Sequence, residues 1–436
     1  MTDVRLPRDV SILVVGGGPA GASAAWHCAQ AGHQVVLIDR AQFPRTKPCA
    51  EYVSPEGSRI LEKMGALEAI EAQAAPLTGM TVHTPSGHCI HGSFLAAHGY
   101  RGFRDVGLGI RREILDTQLL QQARLAGVQV VEQAKLESLV RGVNGRVTGA
   151  LVRTSSGVAR VNTDVLIGAD GLRSVVAKRL GVARRGRWPH RIAFVAHFAH
   201  VPDVSSLGEM HVTANGYVGV ADVGNGITNI AVVVPAQHAR HATGNAQEYY
   251  RHWLRESPLA ARISAATQET SVQVTGPFAM HTRRAGVPGA LLVGDAADFF
   301  DPFTGEGIYA ALRGGELVAP FAADMIAGRP RASAVPDHAI VSAYQSARRH
   351  TFGGKWRVER LIGRAVASPA LMNLAARTIG ADRQYADLLI GVTGDFVPPS
   401  ALLNPRALVR LSSRVCQHTV RQLFGVPPTS DHVYRP

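Results

Sequence analysis

Four cysteines in 436 residues (Cys28, Cys49, Cys89 and Cys416) are too few and too scattered for a disulfide framework, and none forms a Cys-x-x-Cys pair. No uncharged apolar run reaches the ~18 residues that a membrane span requires. The opening stretch, Met1 to Val10, is polar and has no apolar segment ahead of a small-residue cleavage site. Aromatic residues make up only 6%, and the basic residues are not interleaved with them in the stacking pattern of a nucleic-acid module. His197, His200 and His211 lie near one another, but with no Glu or Cys at metal-ligand spacing they read as core or surface histidines. Together these absences predict a cytoplasmic chain in a reducing compartment, with no structural metal and no nucleic-acid partner.

What is present describes a globular protein of two or three packed units. The hydrophobic fraction is 46% and the mean hydropathy +0.04. The formal charge of +13 is uneven: from Arg331 onward there are 14 Lys and Arg against 6 Asp and Glu. Such a surplus suits a solvated basic surface, or a peripheral contact with the inner face of an anionic membrane.

The first forty residues carry the strongest signal. Ser11 to Val15 is a short apolar run, suited to a buried parallel strand. It leads into Gly16-Gly17-Gly18-Pro19-Ala20-Gly21, which matches GxGxxG, and then into an Ala-rich helix over about Ala20 to Ala31, closed by Gly32. A second strand, Gln34 to Ile38, ends in Asp39, 18 residues after Gly21. Gly16 permits the tight turn, Gly18 lets a diphosphate approach the backbone, and Gly21 lets helix and strand pack closely. The helix start presents free N–H groups to the phosphates, and Asp39 is placed to take ribose hydroxyls. The pattern predicts a dinucleotide site without separating FAD from NAD.

Two later strand–turn units narrow the choice. One is Val165-Leu166-Ile167-Gly168-Ala169-Asp170-Gly171; the other is Leu291-Leu292-Val293-Gly294-Asp295-Ala296-Ala297, followed by Asp301-Pro302-Phe303-Thr304-Gly305-Glu306-Gly307-Ile308. A glycine-rich turn at a helix start aims N–H groups at an electron-rich group. With Phe43-Pro44-Arg45-Thr46-Lys47-Pro48-Cys49-Ala50-Glu51, these motifs resemble the flavoprotein superfamily of geranylgeranyl reductases, aromatic-ring hydroxylases and flavin halogenases. The resemblance covers about Val10 to Ala327. It implies noncovalent FAD and an external NADH or NADPH as electron donor. It also implies that Asp295 holds the ribitol chain, that Asp170 lies near the diphosphate, and that Arg112 contacts the diphosphate. The FAD contacts it implies are completed by Arg40, Arg45, Lys47, Cys49, Ala50, Ala134, Gly294, Gly305, Gly307 and Ile308. Cys49 is either a redox-active thiol or an inert small hydrophobe.

Substrate contacts are expected at Tyr217, Gly219, Pro302 and Phe303. In geranylgeranyl reductases a Tyr-x-Trp-x-Phe-Pro motif shapes the lipid pocket, whereas this chain reads Tyr217, Gly219, Ala221 and Asp222. The halogenase Trp-x-Trp-x-Ile-Pro signature is absent as well. The expected fold is α/β. Residues 1–75, 106–182 and 281–330 form a discontinuous Rossmann-like FAD domain of the glutathione-reductase type. Residues 76–105 and 183–280 form an inserted mixed-sheet substrate domain, and 331–436 a helical extension in which Arg357, Arg360 and Arg364 share a basic face. The expected activity is reduction of C=C bonds in an apolar prenyl, quinone-like or polyketide substrate. Hydroxylation of an aromatic or polyketide ring is the alternative, and a flavin-carrying binding protein without turnover a third.

Overall fold

The computed structural model describes residues 6–96, 99–186, 190–242, 244–327 and 336–403. Cys416 and the last part of the basic tail lie outside the described residues.

Apolar β-branched runs flanked by glycine build a central sheet of eight strands. Its path runs Gly286–Val287, Ala290–Leu292, Gly157–Gly168, Asp9–Val15, Val35–Ile38 and Gln129–Val131, with Lys135–Arg141 and Val147–Thr154 paired as an antiparallel extension. The inner pairings are parallel, and their register sets where the strands end. Val15 lies opposite both Gly168 and Ile38, and Gly168 opposite Leu292. Four strands therefore end at one level. Gly16, Asp39, Ala169 and Val293, which are far apart in sequence, stand side by side at their carboxyl ends, where open parallel sheets place their ligands.

Helix Pro19–Gln30 covers one face of this sheet and packs on helix Gly307–Ala327. The approach is close because Gly315 lies where a Cβ would stand 2.6 Å from the Ala24 nitrogen. The Ser23 hydroxyl donates to the Leu312 carbonyl at 2.7 Å across the same seam.

A second eight-stranded sheet follows the path Thr267–Gln268, Arg191–Ala199, Ile227–Pro235, Gly216–Asp222, Leu207–Thr213, Gly79–His83 and Cys89–Ser93, with Gln273–Thr275 also paired to Arg191–Ala199. Every pair is antiparallel except Leu207–Thr213 with Gly79–His83, so the sheet is mixed. Alternation sorts its two faces. Ala193, Val195, Met210, Val212, Tyr217, Ala231 and Val233 share one core, and Phe194, Ala196, Val218, Val220, Ile230 and Val232 pack under helix Ala246–Arg255 through Tyr250 and Leu254.

After residue 336 the chain is helical: Asp337–Val366, Pro369–Gly380 and Arg383–Thr393, then a short turn at Pro399–Leu403. The last two α-helices cover the edge strand Cys89–Ser93, whose unpaired groups would otherwise face solvent. Ser93 N donates to Asp387 Oδ1 at 2.9 Å. None of the described helices is long and apolar enough to cross a membrane.

A cleft at the carboxyl edge of the parallel sheet

Between the carboxyl edge of the first sheet and the inner face of the second lies a cleft with roughly 1170 Å³ of empty space, part of it open to solvent.

The glycine turn forms its floor, and each glycine is constrained differently. Gly16 has φ +111°, and a Cβ there would stand 2.4 Å from the Ala169 carbonyl oxygen. A Cβ on Gly21 would fall 1.8 Å from the Gly16 oxygen. Gly18 instead faces the cleft, and its nearest prospective neighbours are Nη2 of Arg45 at 3.5 Å and Nη2 of Arg112 at 3.6 Å. It begins helix Pro19–Gln30 with no side-chain cap, leaving first-turn N–H groups for a ligand.

Arg112 grips the fully buried Asp116 through Nε at 2.9 Å and Nη2 at 2.8 Å, and Arg45 reaches the same carboxylate at 3.3 Å. Two guanidiniums on one carboxylate leave a net positive charge facing Gly18. Burial alone would lower the Arg112 guanidinium, but Asp116 more than offsets it and holds the group charged. Lys47 and Asp295 also line this cleft. Burial, and then the charge of Arg112, lower the Lys47 ammonium. Burial raises the Asp295 carboxyl against the pull of Lys47 and Arg112.

Asp39 lies behind the cleft lining, against the glycine turn. Its Oδ2 accepts from Gly17 N at 2.6 Å and its Oδ1 from Ala41 N at 2.8 Å, so each oxygen keeps capacity for a ribose hydroxyl. Arg40 is exposed beside it, and the buried Ala134 donates its N–H to the Asp39 carbonyl at 2.8 Å. Neither Arg40 nor Ala134 lines the cleft.

Asp170 holds its own turn together. Its carboxylate takes Ser174 Oγ at 2.5 Å, Val175 N at 2.6 Å and Val176 N at 3.1 Å. The flanking Ala169 and Gly171 line the cleft, so Asp170 fixes that part of the wall.

Gly18, Pro19, Ala20, Lys47, Cys49, Ala50, Arg112, Asp295, Gly305, Gly307 and Ile308 all line the cleft, and so do Tyr217, Gly219 and Pro302. Gly16, Gly21, Gly294 and Phe303 lie behind this lining. Gly294, at φ +57°, would bring a Cβ within 2.8 Å of the Ala20 Cβ, and Phe303 is buried edge-on against Tyr217. Cys49 is half-buried, and its sulfur accepts from Glu51 N at 3.3 Å.

Three buried clusters around the cleft have no local sequence signal. Glu51, at φ +59°, is 2% exposed. Its Oε1 accepts from Arg112 N at 2.8 Å; its Oε2 lies 2.7 Å from His197 Nε2 and accepts from Asn229 Nδ2 at 2.8 Å. The Lys47–Cys49 loop is thereby tied to the second sheet. Arg191, Asp301 and Tyr217 form another buried set. In the third, Lys355 pairs with Asp395 and with Glu306 at 3.6 Å, and stands 4.5 Å above the Tyr309 ring.

Glu359 adjoins that last cluster. Burial, then the Glu306 carboxylate, push its carboxyl up to about 8 from an ordinary 4.5, against the pull of Lys355. A folded value above the unfolded one means that this group's contribution is complete below about pH 4.5 and lost as pH rises through about 8. Glu359→Gln, fixed in the neutral form, is expected to match the parent near pH 5 and to exceed it by about 2 kcal/mol or more above pH 8. Urea unfolding across that range checks this; parallel profiles would remove the buried acid from the account.

The cleft thus offers an anion cradle at a helix start and a glycine turn at a second helix start, with a carboxylate behind the first turn at the position expected for a ribose. These features fit FAD and define an FAD-dependent oxidoreductase. A family model described as "FAD binding domain" matches residues 9–330, and the chain belongs to that family. Among curated relatives, it is 26% identical over 344 residues to a tryptophan 2-halogenase of Chondromyces crocatus, covering 74% of this chain and 63% of that protein. It is 28% identical over 334 residues to a digeranylgeranylglycerophospholipid reductase of Methanoculleus marisnigri, covering 74% and 78%. A solved flavoprotein/dehydrogenase from Cytophaga hutchinsonii shares the fold with a TM-score of 0.79 at 18% identity, covering 95% of this chain and 100% of that one.

Proposed function

We propose that this enzyme uses NADH or NADPH to reduce a C=C bond in an extended apolar substrate of prenyl, quinone-like or polyketide type. The carrying observation is the continuity of the cleft with a second, apolar chamber of about 490 Å³. The two share Ala50, Met210, Gly219, Ala231, Pro302 and Gly305, and the chamber continues past Leu77, Met80 and Phe303. Where the resembling reductases carry bulky residues, this chain has Gly219 and Ala221, which leave the passage open. A Cβ on Gly219 would meet only Met210 Sδ at 3.3 Å.

FAD bound in the cleft would supply two-electron hydride chemistry. Arg45, Arg112 and the Gly18 turn would hold its diphosphate, Asp39 and Asp295 its sugar hydroxyls, and the Gly305–Ile308 helix start its electron-rich ring edge. Ala193, Val195, Val233, Phe278 and Phe299 line the same cleft with apolar surface, which excludes water and aligns the substrate.

The decisive experiment reduces the bound flavin anaerobically and then adds candidate alkenes. Return of the flavin absorbance without oxygen supports alkene reduction. A requirement for oxygen together with an oxygenated product supports hydroxylation, the second reading, which the missing prenyl-pocket motif favours. Gly219→Trp is expected to raise KM for long apolar substrates more than tenfold at unchanged flavin content, because the ring would fill the passage. Steady-state kinetics over a series of chain lengths checks this, and an equal KM for all lengths removes the chamber from the substrate path.

A membrane surface is the proposed source of such a substrate. Leu361 on helix Asp337–Val366 is 51% exposed, and Leu371 and Leu374 on helix Pro369–Gly380 are 52% and 40% exposed; the first helix also displays Arg357 and Arg364. A basic face studded with exposed leucines suits an anionic bilayer interface.

A further inference from the structure

We propose that the back of the second sheet carries a site for a divalent transition-metal ion such as zinc, built from His83, Glu209 and His211. Glu209 and His211 are two residues apart on Leu207–Thr213, so their side chains leave the same face. His83 is the register partner of His211 on the neighbouring parallel strand. Met210 and Val212, at alternate positions, belong to the core that includes the cleft wall. Val218 and Val220, opposite His211 and Glu209, belong to the apolar layer beneath helix Ala246–Arg255. The three ligand groups therefore sit on the face opposite the Met210 wall of the flavin cleft, with Glu209 also bordering the second chamber. Sequence spacing alone missed them, because His83 lies more than 120 residues from its partners.

One ligand atom from each residue falls within 4.8 Å of the others. The two imidazoles stack at 4.6 Å with 10° between their planes. His211 Nε2 lies 2.7 Å from Glu209 Oε2, and among the described residues the His83 ring makes no hydrogen bond. Two imidazoles and a carboxylate are a zinc donor set with a fourth position left for water. Ligands ~2.0–2.2 Å from zinc stand ~3.3–3.5 Å apart, so side-chain rotation must close the triangle by up to about 1.5 Å.

The protonation states already suit a cation. Burial works against the Glu209 carboxylate, but His211 and Arg262 outweigh it and bring it down to about 2. Burial and the neighbouring His211 lower His83, favouring the neutral ring that ligates metal. Arg262 also holds Glu209, Nη1 to Oε2 at 2.8 Å and Nη2 to Oε1 at 3.1 Å, and orients the carboxylate as an outer partner does. The ion would pin the one parallel pair of the sheet, which joins its two separate chain segments.

The test uses the full-length, FAD-loaded protein, stripped with chelator and titrated with Zn²⁺ alone, then with Co²⁺ as a spectroscopic substitute. The expected result is one tightly bound equivalent and intense visible cobalt bands of low-coordinate geometry. His83→Gln and His211→Gln should each weaken the tight equivalent at least tenfold with flavin content unchanged. With 18 histidines in the chain, only the difference between parent and variants counts. Equal binding by parent and variants, or weak octahedral cobalt bands in the parent, overturns the proposal and leaves an ion-pair network at this position. Should a variant lose its flavin, the parent's cobalt spectrum decides.

Discussion

Gly21→Ala is expected to yield protein without bound flavin and less stable than the parent by roughly 3 kcal/mol, at the upper end of the usual cost of overpacking. The added methyl would lie 1.8 Å from the Gly16 oxygen and 3.2 Å from the Ala169 Cβ. Gly16 cannot retreat, because its own φ of +111° and its approach to the Ala169 carbonyl already hold it. The helix must lift from the strand, and the cradle lifts with it. Gly18→Ala is the informative contrast. Its methyl meets nothing closer than the Arg45 and Arg112 guanidiniums, so stability should stay within about 1 kcal/mol while flavin affinity falls about tenfold. Urea midpoints and the flavin-to-protein absorbance ratio read the two effects separately. Stoichiometric flavin in Gly21→Ala, or equal destabilisation by both variants, would defeat the division between a packing glycine and a ligand-facing one.

That division was legible in the sequence because a dinucleotide turn is local. Strand, three glycines, helix, second strand and Asp39 lie within thirty residues, and each constraint acts between near neighbours. The later Gly-Asp units were legible by resemblance, and the parallel register explains why they meet: Val15, Ile38, Gly168 and Leu292 end together. Asp170 shows that a motif residue can also hold its own turn. An aspartate beside a glycine turn also suits a helix cap, and the three donors of its own turn claim it. The Glu51 cluster was out of reach for a different reason. A buried carboxylate is identified by its donors, and those of Glu51 come from residues 112, 197 and 229. Nothing in Ala50-Glu51-Tyr52 announces them.

The same reasoning makes Arg191→Met the largest stability effect expected outside the glycine turn. Asp301 begins the Pro302–Thr304 turn, and its Oδ1 accepts from Phe303 N at 3.1 Å and from Tyr217 OH at 2.9 Å. Its Oδ2 takes Arg191 Nη1 at 2.5 Å, while Arg191 Nη2 donates to the Gly363 carbonyl at 3.0 Å. One buried ion pair thus joins the second sheet, the turn before Gly305 and the long C-terminal helix. Removing the guanidinium strands a buried carboxylate, which costs about 3–5 kcal/mol. Tyr217→Phe removes a single donor and should cost about 1 kcal/mol. Displacement of the turn that precedes Gly305 should also slow turnover, since about 1 Å of misplacement near reacting groups can cost ~100-fold. The Arg191→Met, Asp301→Leu double variant separates stranded charge from lost shape. Restoring an apolar pair should recover part of the stability but not the turnover, because the Phe303 and Tyr217 donors have lost their acceptor. Urea unfolding with steady-state kinetics on all three proteins tests this. A single variant within 1 kcal/mol of the parent, or a double variant no more stable than Arg191→Met, would show that the charge pair does not hold the turn.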